Sequence, residues 1–141
     1  MNLDDIREMW KEDCKIDQND LDTENFKVTV IHEKYLNLWS QFRLMLSDAE
    51  MKKNRMYKQK FEYYSGKAPS KVYQDNPFNH KVLKGDLNTY IWADDEFIRT
   101  KQKMDYLETC INYLENVLKQ CSNRGFQIKN VIELRKYEYY C

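Results

Sequence analysis

Between residues 28 and 56 an apolar side chain returns every three or four positions: Val28, Ile31, Tyr35, Leu38, Phe42, Met45 and Ala49, with one turn skipped before Met56. That spacing places all of them on one stripe of an α-helix. It is also the pattern that packs long helices side by side. Neither glycine nor proline interrupts residues 21–64, so the pattern predicts one helix over that whole span. At about 1.5 Å per residue it would be roughly 65 Å long. A helix of that length outruns the core that a 141-residue chain can build around it, so its seam predicts a partner, most simply another copy. A second stripe, Met104, Leu107, Ile111, Leu114, Leu118 and Cys121, predicts a helix over 94–122. Asp94, Asp95 and Glu96 open it, where the helix dipole favours acids. Gly125 then predicts a stop, since glycine takes positive φ cheaply. A last helix is expected over 127–139, with Ile128, Val131, Ile132 and Leu134 among bases. At the other end, Leu3, Ile6, Trp10 and Cys14 predict a short acidic helix over 3–14. Residues 65–93 hold both prolines and two of the three glycines and read as a loop or insert. A small hairpin or short strand is expected at 81–92 around Gly85-Asp86. The fold class is therefore all-α, a single domain over 1–141, with a long helix, shorter helices and a loop or small hairpin insert.

Several function classes drop out. The acidic N-terminus, MNLDDIREMW, lacks the apolar core of a signal peptide. No run of about 18 apolar residues is present to cross a membrane. The four cysteines, Cys14, Cys110, Cys121 and Cys141, are therefore expected to be reduced, in a cytosol. Cys110 and Cys121 are about three turns, or 16 Å, apart on one helix, too far to share a metal. With only His32 and His80 in addition, neither a metal site nor a cofactor is expected. No glycine-rich phosphate loop occurs, no nucleophile–histidine pairing stands out, and Asp94-Asp95 is explained by helix capping. No catalytic residue is assigned, and the chain reads as a non-enzyme.

Charge points elsewhere. The formal net charge is zero, yet residues 1–25 are strongly acidic and residues 52–67, KKNRMYKQKFEYYSGK, carry six bases against Glu62 alone. Asymmetry of this kind is more informative than the sum. Within the basic stretch Lys53, Tyr57, Lys60, Tyr64 and Lys67 step by four and three, so cations and rings share one helix face. Lys58 joins Arg55 on an adjacent face. Single-stranded nucleic acid offers phosphates for such cations and base faces for such rings. A plain packing face, with the tyrosines against a neighbour and the lysines solvated, fits the same periodicity, and periodicity alone leaves both readings open.

Two segments carry a family resemblance. YKQKFEYYSGK at 57–67 and CSNRGFQIKNVIELRKYE at 121–138 resemble the UvsY-like recombination mediators of T-even-type phages. Lys58, Lys60, Tyr63, Tyr64, Ser65 and Gly66 carry the first motif, and Arg124, Gly125, Phe126, Ile128, Lys129 and Arg135 the second. The resemblance implies a ring-like homo-oligomer that binds single-stranded DNA without sequence preference. It implies assistance to a RecA-type recombinase on DNA already covered by single-strand-binding protein, in the cytoplasm of the infected bacterial host. It implies Lys58 and Lys60 as the DNA-contacting bases; the basic-aromatic pattern itself adds Lys53, Arg55 and Lys67 as candidates, with Tyr57 and Tyr64 open between stacking on bases and packing on a neighbour. The resemblance also implies the C-terminal helix, through Ile128, Val131, Ile132 and Arg135, as the assembly element. The second DNA-contacting base is arginine in the best-known member and Lys60 here, which keeps charge but loses bidentate geometry. The alternative is a coiled-coil adaptor whose basic face meets an acidic protein partner.

Overall fold

The computed structural model describes residues 1–140, and Cys141 lies outside them. The helices are α1 (Leu3–Asp13), α2 (Leu21–Tyr64), α3 (Ser70–Asp75), α4 (Leu87–Trp92) and α5 (Asp95–Tyr140), with a single 3-10 turn at Lys84–Asp86. No strand occurs among the described residues. The hairpin expected at 81–92 is instead the 3-10 turn running into α4, whose Leu87 and Ile91 are buried four residues apart. A period of four, not two, governs that segment.

The second difference is Gly125, where α5 passes straight through the expected stop. Its buried positions run Leu114, Val117, Cys121, Arg124 and Ile128, a stripe that keeps helical phase on both sides of the glycine. A glycine inside a helix costs about 1 kcal/mol relative to alanine, less than the burial of Ile128, roughly 1.5–3 kcal/mol. Packing therefore overrides the local stop signal, and one helix replaces the two expected over 94–122 and 127–139.

The chain resolves into two compact units. Unit 1 takes residues 1–43 and, of the described residues, 109–140. α1 opens there with a reciprocal cap, Asn2 Oδ1 accepting from the Asp5 N–H at 2.9 Å and Asp5 Oδ2 accepting from the Asn2 N–H at 3.0 Å. Its Ile6 is buried with Tyr35, Phe42, Ile111 and Leu114, and Trp10 meets Tyr35 edge-on at 5.4 Å. The Tyr35 hydroxyl donates to Asp13 at 2.8 Å. Unit 2 is Leu44–Glu108, with Leu46, Ala49, Leu87, Ile91, Phe97, Met104 and Leu107 buried.

The buried line of α2 drifts away from the heptad seam. Leu46 is 4% exposed where the seam names Met45, which is 50% exposed. An undistorted helix has 3.6 residues per turn and slides about 20° per heptad against a 3.5-residue repeat. After Phe42 the inward positions become Leu46, Ala49, Lys53, Tyr57, Lys60 and Tyr64, all buried or partly buried.

Candidate nucleic-acid interface

That drift decides which side of the basic stretch faces water. The line Lys53, Tyr57, Lys60 and Tyr64 continues the inward face of α2 and is only partly exposed. Lys60 is its hub. Its side chain is 19% exposed, and its Nζ stands 2.9 Å from Glu96 and 3.3 Å from Asp94. Asp94 also accepts from the Tyr64 hydroxyl at 2.6 Å and, as the cap of α5, from the Phe97 N–H at 3.0 Å. Burial pushes the Asp94 carboxyl up, but those two hydrogen bonds and Lys60 together hold it below its ordinary 3.8. Burial likewise pulls Lys60 down, and Glu96 and Asp94 outweigh it to raise the ammonium above 10.5. The rings are similarly engaged. Tyr57 donates to Asn88 and meets Phe97 at 6.1 Å. Tyr64 packs on Phe78 at 5.1 Å and on Tyr90 at 5.7 Å.

The YYSG turn has a definite geometry. Gly66 takes φ +81°, the Lys67 N–H reaches back to Glu62 O at 2.9 Å and the Gly66 N–H to Tyr63 O at 3.3 Å. That pair of bonds is a Schellman stop, which needs a left-handed residue at the glycine position. Tyr73 seals it, its hydroxyl donating toward Tyr63 O at 2.8 Å, while Tyr63 stacks on the Tyr73 ring at 5.5 Å. The motif thus ends α2 and anchors the insert.

The outward side differs. Arg55, Lys58 and Lys67 are exposed. Lys58 is 80% exposed, with only a long 3.9 Å approach to Glu62. Lys52 is paired with Asp48 at 3.0 Å on the surface, a contact of little energetic weight. Lys52 and Arg55 border a groove of about 480 Å³ floored by Met45, Ala49, Met56 and Leu107, with Lys103 opposite. Lys103 was missed by sequence reasoning, because it lies on another helix, outside the basic run.

In unit 1 the expected assembly residues divide. Ile128 is buried in this chain's own core, and Arg135 donates to Gln18 O at 2.9 Å. Val131 and Ile132 are exposed, as are Leu134, Tyr137, Tyr139 and Tyr140. Arg124, part of the second motif, closes the α1–α2 connection onto α5. It donates to Asp13 O and Lys15 O, each at 2.6 Å, and pairs with Glu24 at 3.3 Å. Both side chains of that pair are nearly dry, 5% and 6% exposed.

Among the described residues no group of three or more His, Cys, Asp or Glu side chains is placed to hold a metal ion, and no helix is long and apolar enough to cross a membrane.

The chain is thus a helical protein with exposed, weakly paired cations on the outward side of α2 and packed rings on its inward side. Comparison with known proteins gives a family: residues 9–139 match the model described as "Recombination, repair and ssDNA binding protein UvsY", and the chain belongs to the UvsY family. It is 25% identical over 138 residues to the recombination protein uvsY of Enterobacteria phage T4, covering 98% of each chain. A crystal structure of the bacteriophage T4 recombination mediator protein UvsY superposes with a TM-score of 0.89 at 25% identity, covering 99% of this chain and 98% of that one. A second crystal form gives 0.86 at 24% identity, over 95% and 98%.

Proposed function

We propose that this chain binds single-stranded DNA without sequence preference and, as a ring-like homo-oligomer, helps a RecA-type recombinase load onto DNA covered by single-strand-binding protein. The observation that carries the reading is the exposure of Arg55 and Lys58, three residues apart on α2, with Lys67 exposed beyond the helix stop. The one ion pair of Lys58 is the long, exposed 3.9 Å approach to Glu62, which costs little to exchange for a phosphate. Lys60 acts as a positioning residue, tying α2 to the start of α5 so that its neighbours stay in place. Lys53, half covered on the inward line, lies at the edge of this surface. Assembly uses Val131 and Ile132 with the exposed apolar side chains beyond them, and repetition of one weak surface around a ring multiplies it into avidity.

The test is binding of fluorescent oligo(dT), with solution mass measured with and without the DNA. Arg55→Ala/Lys58→Ala is expected to weaken binding about 25-fold at 0.1 M salt, since each lost phosphate contact is worth about fivefold there. It should slow recombinase filament assembly on covered DNA in step. Unchanged binding in that variant overturns the assignment. A monomeric mass in both conditions overturns the ring.

A second reading is favoured by the groove. A floor of Met45, Ala49, Met56 and Leu107 with Lys52, Arg55 and Lys103 at its edges also suits an acidic segment of a protein partner, since methionine-lined surfaces adapt to varied apolar anchors. Homopolymeric single-stranded DNA would displace nothing from such an adaptor.

A further inference from the structure

We propose that Trp92, with Lys101 laid against its ring, is a base-stacking platform for single-stranded DNA on unit 2. The inference rests on the single-stranded-DNA reading above and adds an aromatic face to that of Phe61, which is 36% exposed on the basic stretch. Sequence-independent binding of single strands combines cations with rings on which bases stack. The tyrosines of the basic stretch are committed to the fold: Tyr57 to Phe97 and Asn88, Tyr63 to Tyr73 and Phe78, Tyr64 to Phe78, Tyr90 and Asp94.

Trp92 is placed differently. It is the last residue of α4, which is pinned by buried Leu87 and Ile91. One step along a helix turns a side chain by about 100°, so the residue after Ile91 comes off the buried side, and the indole is 47% exposed. Its ring neighbour is Phe97, met edge-on at 5.2 Å. Phe97 is buried and touches Tyr57 in turn, so a single ring joins Trp92 to the basic helix. The Lys101 ammonium lies 5.3 Å from the indole centroid, within cation–π range. A base stacked on the exposed part of the indole lies beside that ammonium, the cation-plus-ring pairing that suits a nucleotide. The fold leaves about half of this large apolar surface uncovered. Sequence reasoning passed over Trp92 because it lies outside the basic run, at the end of the segment expected to be a hairpin.

The experiment uses the full chain with two probes, fluorescent oligo(dT) and an abasic deoxyribose-phosphate oligomer of equal length. Trp92→Ala is expected to weaken oligo(dT) binding about tenfold, within the range of one lost base–ring stack, and to leave abasic binding within about twofold. Trp92→Phe, which keeps a ring, should recover most of the affinity, and circular dichroism checks that both variants fold. A protein with Trp10→Phe and Trp39→Phe reports Trp92 alone, and oligo(dT) should quench its emission where the abasic oligomer does not. If Lys58→Ala weakens binding while Trp92→Ala does not, or if Trp92→Ala weakens both probes equally, the platform is wrong and the DNA reading stands. If the intact protein binds neither probe, the DNA reading fails and the platform with it.

Discussion

Lys60 sits between two carboxylates with its side chain 19% exposed, whereas Lys58, two residues earlier on α2, is 80% exposed and reaches only Glu62, at 3.9 Å. Two residues on a helix are about 200° apart in azimuth, so one lysine belongs to the interior line and the other to the surface. What separates them is the phase of α2, set by Phe42, Leu46 and Ala49 well upstream. The comparison teaches that a basic-aromatic run has two jobs here: its inward half closes unit 2, and its outward half remains available to an anion. Arg124 in unit 1 is the drier counterpart of Lys60, a cation used wholly for the fold.

Predictions that could break this division run from large to small. Arg124→Ala leaves the buried Glu24 with Lys27 alone as counter-ion, at 3.3 Å, strands two carbonyls, and should cost about 2–4 kcal/mol in denaturant unfolding. A loss under about 1 kcal/mol would mean that this cation is not structural. Lys60→Ala strips Asp94 of its cation in a half-wet setting, between the buried and exposed limits, and should cost about 1–3 kcal/mol. Combined with Asp94→Asn the cost should be less than the sum, because the two share one network. Gly66→Ala forces a side chain into the left-handed region and should lower stability by about 1–2 kcal/mol. Lys58→Ala should stay within about 0.5 kcal/mol. A larger effect would place Lys58 in the fold and blur the contrast.

The same network predicts a pH response. The Asp94 carboxyl is held below 3.8 in the folded chain. Its contribution is therefore complete above the ordinary carboxylate value and is lost as pH falls through the lowered one. The Lys60 ammonium is raised above 10.5, so its contribution is complete below that value and fades as pH climbs through the raised one. Asp94→Asn should flatten part of the acid limb of a stability–pH profile while leaving the neutral plateau sloped as before. An unchanged acid limb would remove Asp94 from the account.

Much of the helical layout can be read from spacing. The uninterrupted span 21–64 is α2, and Leu3, Ile6 and Trp10 mark α1. Two local signals mislead for physical reasons. Gly125 looks like a stop, but Arg124 and Ile128 on either side are both buried, and their packing outweighs the glycine. Gly85-Asp86 looks like a hairpin turn, but Leu87 and Ile91 bury at a helical period. The candidate site was legible as a place and not as an orientation. Residues 52–67 are identifiable from composition, yet the inward turn of Lys60 depends on partners more than thirty residues downstream, Asp94 and Glu96. A heptad template also names Met45 where the helix buries Leu46, and that small phase error is enough to exchange the two faces of the basic stretch. Trp92 carries no signal in its own neighbourhood, because its cation and its ring partner both come from α5.

The most direct test of the division is the salt dependence of oligo(dT) binding in three folded proteins: the natural chain, Arg55→Ala/Lys58→Ala, and Lys60→Ala. Each phosphate contact on a single strand adds about 0.7 to the slope of log affinity against log salt. The outward double variant should lose about 1.4 from that slope, two contacts at that value, while Lys60→Ala, compared where it remains folded, should keep the slope of the natural chain. If Lys60→Ala flattens the slope as much as the outward pair does, or if the outward pair leaves it untouched, the assignment of the two faces is wrong.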